Sequence, residues 1–290
     1  MEHRHKKEII TSWLFLVPAG VIYLSVVMIP VFYSMVISLF KWNGIAAMEF
    51  AGLNNYVTLF RDSIFTKAIL NNLIWIILSL FATMAAALGL AVMLNKPFAG
   101  RTFFRGFFYF PAVIASIAVA IIWRWIYNPS YGFINQLLKT LGSGFQQSWI
   151  SSPTASLYAI FFASLWQSVG QPMIFFLAGL QTVPEEVLEA ATIDGAGSFY
   201  RFLVITVPMM KETFVIVIAN LIVGAMKVFD VVMGLTAGGP NNATQMMSTY
   251  MYAQTFRYNN VGYGTAIAIL MIVFMMVVIA PYVSFTARKD

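Results

Sequence analysis

Few residues in this chain could do covalent or metal chemistry, and they are poorly placed for it. His3 and His5 are the only histidines, a His-x-His pair able to hold a metal ion, and they sit in a basic arm with Arg4, Lys6 and Lys7. A positively charged terminus explains that arm without a metal. A phosphate-cradling loop needs Gly-x-x-x-x-Gly-Lys-Ser/Thr, and the only lysine followed by Ser or Thr is Lys139, preceded by Leu138. ATP hydrolysis by that route is excluded. With no cysteine there is no thiolate ligand, no disulfide framework and no cysteine nucleophile. Glu212 and Asp230 lie at opposite ends of one apolar run and form no carboxylate pair for proteolysis or proton relay. Asn242-Ala243-Thr244 matches a glycosylation acceptor, a tripeptide common by chance. The remaining chemistry is non-covalent: Trp166 offers an aromatic face, and Gln167 and Ser168 offer hydrogen-bond donors and acceptors, in the middle of an apolar run. In a helix bundle the same residue types also serve as packing and interhelical glue.

The elements that must position these residues are membrane helices. The chain is 60% hydrophobic and 10% charged over 290 residues, against roughly 25% charged in soluble domains. The net charge of +6 does not mark a nucleic-acid binder, because the basic residues are scattered at segment ends. Six apolar runs predict six spans, near 9–40, 69–94, 107–127, 154–180, 211–229 and 265–285. The first is too long for a signal peptide and is read as a retained helix, kinked at Pro18 and Pro30. Pro111 enters the third. Between the first two spans, 41–67 reads as an external loop with a short interfacial helix, and 130–153, with Gly142 and Gly144, is external by parity. The segment from Leu235 to Gly264 is a further external stretch in which Met246–Phe256 can form a short helix. This places Arg4, Lys6, Lys7, Lys96, Arg101, Arg105, Arg201, Lys211, Arg288 and Lys289 inside, 10 of the 17 basic residues. Both termini are expected in the cytoplasm.

Between the fourth and fifth spans lies a polar insert, Glu189-Ala190-Ala191-Thr192-Ile193-Asp194-Gly195-Ala196. Thr182 and Glu185 read as a capping box that starts a helix near Pro184, with Glu185 and Glu186 at the positive end of its dipole. Asp194-Gly195 ends that helix, and a second short helix follows from Ser198 towards Val204. Two short helices make a compact knob for another protein to hold; the alternative is an amphipathic connector lying on the membrane.

The pattern Glu-Ala-Ala-x-x-Asp-Gly-Ala, followed by Phe199, Phe202, Ile205 and Pro208, resembles the coupling loop of the membrane subunits of ABC importers. Glu189, Ala190, Ala191, Asp194, Gly195 and Ala196 occupy the matching positions without a departure. Phe50-Ala51-Gly52-Leu53-Asn54-Asn55-Tyr56 after the first span is of a kind found in ABC sugar permeases. Leu235-Thr236-Ala237-Gly238-Gly239-Pro240, with Phe256 and Gly262-Tyr263-Gly264, is similar to the carbohydrate branch, in type the larger maltose permease and the glycerol-phosphate and oligosaccharide permeases. The resemblance implies an all-α integral membrane protein of six transmembrane helices with the type I ABC importer permease architecture. It implies one permease domain over 1–290 with a cytoplasmic coupling loop at 182–204. It also implies a second related permease, two ABC ATPase subunits that bind the ATP and Mg, an extracytoplasmic solute-binding protein, a sugar or oligosaccharide as solute, and no cofactor in this chain.

For the solute pathway, the resemblance points to Ser116, Trp166, Gln167, Ser168, Gly224, Ala225 and Val228. Where the maltose subunit has larger and polar residues, Gly224 and Ala225 imply a different or larger solute, or a site carried mainly by the second permease. The chain departs from the maltose subunit in lacking its extra N-terminal helices and large external insertion. An ABC permease for a non-sugar solute such as an amino acid or phosphate is the runner-up, against which the Gly-Gly-Pro segment argues. A secondary transporter would show paired interrupted helices and intramembrane ionisable groups, which are not evident here.

Overall fold

The computed structural model describes residues 14–142 and 147–287. His3, His5, the basic residues of both termini and Gly144 lie outside them. The described chain is helical apart from one small hairpin. Among the described residues three helices are long and apolar enough to cross a membrane: α1 (Leu14–Ile37), α3 (Ser63–Asn95) and α13, which is Val261–Ala287 and is apolar enough over Val261–Tyr282. Three bent pairs meet the same test when the two halves of each are counted as one span. These are α4 (Arg101–Val113) with α5 (Ser116–Ile126), bent 100°; α7 (Ser156–Ser168) with α8 (Gly170–Gln181), bent 47°; and α10 (Ser198–Met209) with α11 (Lys211–Met226), bent 74°. Counted so, the spans number six, as the hydropathy predicts.

The breaks within the third and fourth spans are the main correction to runs read as continuous. Pro111 lies inside α4, near its end, and Ile114 and Ala115 take extended conformations before α5 restarts. The second short helix after the polar insert was expected to fade near Val204, yet α10 runs on through Pro208. A π-helical turn at Phe202–Thr206 permits this: Val207 N–H bonds back five residues to Phe202 O, so the ladder is already shifted where Pro208 has no N–H to give. The first helix uses the same device. Its π turn spans Leu24–Met28, with Ile29 N–H on Leu24 O, immediately before Pro30. Pro18 interrupts nothing.

One compact unit comprises the chain up to Asp62 with Met251–Ile272. In it β1 (Phe40–Lys41) pairs antiparallel with β2 (Glu49–Phe50), Phe40 opposite Phe50, a hairpin that the sequence did not announce. The expected interfacial helix is α2 (Asn54–Arg61), and Asn55 Nδ2 donates to Ser38 O and Phe40 O. Gly262-Tyr263-Gly264 do not precede the last helix but form its first turn. A side chain at Gly262 would strike the Phe40 carbonyl, and Tyr263 OH donates to Asp62 Oδ2 at 2.8 Å. The most apolar stretch of α1 has no buried residue, and its side chains face outward, as a helix in lipid requires.

The other unit comprises Ser63–Tyr250 with the chain from Val273 onward, and it holds every candidate site residue. Its core joins the second half of α3 (Ala87, Ala91, Leu94) to Met173, Phe176 and Leu177 of α8 and Val217 of α11. The alanines on α3 allow α8 to lie close against it. Arg105 Nη2 donates to Leu94 O at 2.8 Å, so a basic residue closes the C-terminal end of α3. The loop expected after the third span carries α6 (Phe133–Thr140), folded around buried Asn135, which donates to Pro129 O and Gln147 O and accepts from Trp149 Nε1.

Candidate functional site

The polar insert forms the expected two-helix knob, by a partly different route. Helix α9 (Glu185–Ile193) starts after Pro184, with Glu185 and Glu186 in its first turn. The capping box does not form, because the Thr182 hydroxyl donates back to Gly179 O at 2.8 Å on the preceding helix. Val183 and Leu188 instead join one apolar cluster, at the two positions of a hydrophobic staple that sets the entry angle of the helix. The end of α9 is a Schellman motif. Ala196 N–H reaches Ala191 O at 2.9 Å, Gly195 N–H reaches Thr192 O at 3.1 Å, and Gly195 takes φ +80°. Asp194-Gly195-Ala196 is thus a backbone device for a sharp stop.

Helix α10 returns beside α9 through Arg201, whose guanidinium donates to Leu188 O at 3.4 Å, to Ser198 Oγ at 3.3 Å and to Thr192 Oγ1. The sequence showed this residue only as a charge. Glu189, Ala190 and Asp194 are exposed, whereas Ala191 is buried within the chain, so of the two alanines only Ala190 is open to a partner. The knob also exposes Ile193 (86%) and Phe199 (76%), with Tyr200, Leu203 and Val204 beside them in sequence. Large apolar side chains left this open beside an acidic residue suit a protein partner better than water.

The expected pathway residues fall into two groups. Ser168, Gly224, Ala225 and Val228 line a cavity of about 200 Å³ together with Trp75, Ser79, Thr83, Gln171 and Asn220. Gly224 leaves open space, with no heavy atom within 4 Å of where a Cβ would be. Ser116, Trp166 and Gln167 are not in that wall. Gln167 Nε2 donates to Ile114 O at 2.8 Å and Ser116 Oγ at 3.1 Å, so its amide hydrogens are both spent across the break between α4 and α5. Trp166 packs edge-on to Trp123 at 6.0 Å. Close approach at the same place is secured by Gly170, where a Cβ would come within 2.7 Å of Phe108 O.

The far end of the cavity wall is held by two buried asparagines that sequence reasoning passed over. Asn72 Nδ2 donates to Ala225 O at 3.1 Å, and its Oδ1 accepts from Met247 N at 2.9 Å. Asn71 Nδ2 donates to Ala243 O and Gln245 O at 3.0 and 2.9 Å. Ser248 Oγ donates to Val228 O. The Gly-Gly-Pro segment and the residue after it are therefore bound to α3 and to the chain just past α11, two of the elements that line the cavity. The available signal was an adjacent pair of amides inside an apolar run, a costly placement in a membrane unless partners exist. Among the described residues no group of acidic, histidine or cysteine side chains could hold a metal ion.

Bent spans around a small cavity lined by hydroxyls, amides and apolar side chains, with an exposed two-helix knob between the fourth and fifth, define a membrane permease. The chain belongs to the family of binding-protein-dependent transport system inner membrane components, whose profile matches residues 84–289. It is 36% identical over 268 residues to the probable ABC transporter permease protein YurN of Bacillus subtilis, covering 91% of each chain. It is 32% identical over 269 residues to the multiple sugar-binding transport system permease protein MsmF of Streptococcus mutans, covering 92% of each. The fold matches that of a chain in the crystal structure of a bacterial ABC transporter that imports the acidic polysaccharide alginate, with a TM-score of 0.85 and 24% identity over 98% of this chain and 99% of that one.

Proposed function

We propose that this chain is one of two permease subunits of an ATP-driven ABC importer and forms, with the second, the pathway for a sugar or oligosaccharide delivered by an extracytoplasmic solute-binding protein. The observation that carries the reading is family membership across a segment that contains both the knob and most of the cavity wall. The relation to a sugar permease of Streptococcus mutans supports the solute class. ATP and Mg belong to two separate ATPase subunits, and this chain supplies mechanical coupling. Residues 1–290 act as one permease domain. The loop 182–204 seats in the ATPase, with Glu189, Ala190, Asp194 and the exposed apolar side chains making contact, Gly195 and Ala196 shaping the turn, and Ala191 anchoring α9 to the permease.

In this reading both termini and the knob face the cytoplasm. Because the chain has no cysteine, Ser198→Cys and Ser148→Cys can be labelled with a membrane-impermeant thiol reagent in intact cells; labelling at 148 and protection at 198 are expected, and the reverse pattern rejects the orientation. For the knob, Glu189→Lys is expected to lower ATPase retention and uptake together while the permease still inserts. Normal retention and uptake in that variant would remove the coupling assignment. Ser116, Trp166 and Gln167 are proposed to act from beside the cavity, and Ser168, Gly224, Ala225 and Val228 within it. Trp166→Ala is expected to alter the solute dependence of uptake with assembly intact.

A further inference from the structure

The second span, α3, carries a π turn at Ser79–Thr83, midway along the helix and facing the cavity. Trp75, Ser79 and Thr83 follow at steps of four, and all three line the wall. On a regular α-helix each such step drifts about 40° around the axis, because four residues exceed a turn of 3.6. The wider turn takes that drift back and keeps the three side chains in one stripe. Ser79 and Thr83 belong to residues only 7% and 2% exposed, and no protein partner is found for either hydroxyl among the described residues. Neither oxygen is sealed off, since both are absent from the buried atoms without a partner. Each hydroxyl thus opens onto the cavity with its hydrogen-bonding capacity unspent, beside an aromatic ring from the same stripe.

Elsewhere in the wall four polar side chains sit among apolar ones such as Phe161, Phe175 and Leu221. Ser164 and Ser168 add hydroxyls, Gln171 and Asn220 add amides, and no ionisable side chain lines the cavity among the described residues. A carboxylated or phosphorylated solute would enter this half of the pathway without a counter-charge, at a desolvation cost that a neutral one avoids. We propose that Ser79 and Thr83 are solute-contacting, specificity-determining residues, and that the solute class this wall passes is a neutral polyhydroxylated one. The inference rests on the permease reading above and narrows it: the related fold named earlier handles an acidic polysaccharide, and this wall is built for an uncharged one.

The test uses the complete transporter in cells, with its second permease, ATPases and binding protein. Neutral trisaccharides (maltotriose, cellotriose, raffinose) and a uronate trisaccharide, tri-galacturonate, are supplied as labelled probes. At least one neutral probe is expected to enter about tenfold faster than tri-galacturonate. In this arrangement the binding protein sets KM, which Ser79→Ala and Thr83→Val leave alone, while uptake per inserted complex at saturating solute falls about tenfold in each, as expected for one lost solute hydrogen bond. Thr83→Val keeps the shape of the side chain, and Thr83→Ser, which keeps the hydroxyl, recovers most of the rate; a merely structural role would give the opposite order. Preferential uptake of tri-galacturonate overturns the neutral class while leaving a sugar permease in place. Unchanged rates in both Ser79→Ala and Thr83→Val overturn the residue assignment. Uptake of neither kind of probe counts against the sugar reading itself.

Discussion

The knob at 182–204 and the Gly-Gly-Pro segment at 235–247 flank the same pair of helices, α11 and α12 (Asp230–Leu235), and both depend on residues with positive φ. They are stabilised in opposite ways. The knob closes on its own backbone, through the Schellman bonds of Ala196 and Gly195 and the reach of Arg201 across nine residues to Thr192. The Gly-Gly-Pro segment closes partly on itself, with Thr244 bonded to Gly239 O, but its anchors are Asn71 and Asn72, some 170 residues away. One loop is exposed with large apolar side chains in the open, and the other buries Thr244, Gln245, Met246 and Met247. A loop that carries its own bonds can be moved as a body by whatever grips it. A loop bound to the cavity wall through buried amides moves only if the wall moves.

That contrast can be broken by substitution, and the effects should rank by burial. The largest is expected at Gly238→Val, where φ is +88° and a side chain would overlap the Gln245 amide. Strain and overpacking together cost about 3–5 kcal/mol, and little folded permease should survive size-exclusion chromatography. Asn72→Leu comes next, because it leaves the Ala225 carbonyl and the Met247 N–H buried without partners, at about 2–4 kcal/mol. A lowered melting temperature of the detergent-solubilised chain measures it; a loss no greater than that of an exposed control such as Asn54→Leu would show that the asparagine anchors do not matter. Gly195→Val follows, at about 1–2 kcal/mol from a β-branched residue held at positive φ in open space. Its melting temperature should fall by less than that of Asn72→Leu while ATPase retention falls by more, which sharpens the distinction between holding the fold and presenting a surface. The smallest is Arg201→Gln, about 1 kcal/mol, read as faster hydrogen exchange in 185–201 without change in the helices around the cavity.

The same division explains what was legible in the sequence. Asp194-Gly195 declared a helix stop because the rule is local, and the six spans followed from run length alone. The Thr182 capping box failed because its hydroxyl had a competing acceptor one turn back, which spacing cannot reveal. Pro111 was read as the entry to the third span, whereas the chain breaks after it at Ile114–Ala115, and Gln167, 53 residues away from Ile114, bonds across that 100° bend. Gln167 drew notice as a polar residue in mid-span and was expected to face solute; its amide hydrogens turn out to brace a bend. Ser79 and Thr83 went unnoticed because a serine and a threonine in an apolar helix are ordinary, and only the π turn aligns them with Trp75.

The two prolines that follow π turns, Pro30 and Pro208, have a consequence for how the chain can be shortened. Each wide turn is, in counting terms, one residue more than an α-helix of the same height would hold. Removing one residue from the turn and its proline together should return the ladder to regular spacing with the faces on either side still in phase. A chain carrying Pro208→Ala and a deletion of Ile205 is therefore expected to insert and assemble at normal yield, whereas the deletion alone, which sets the proline against a regular ladder, is not. Insertions and deletions that would rotate every downstream side chain elsewhere in these spans become, at those two places, a removable pair of changes.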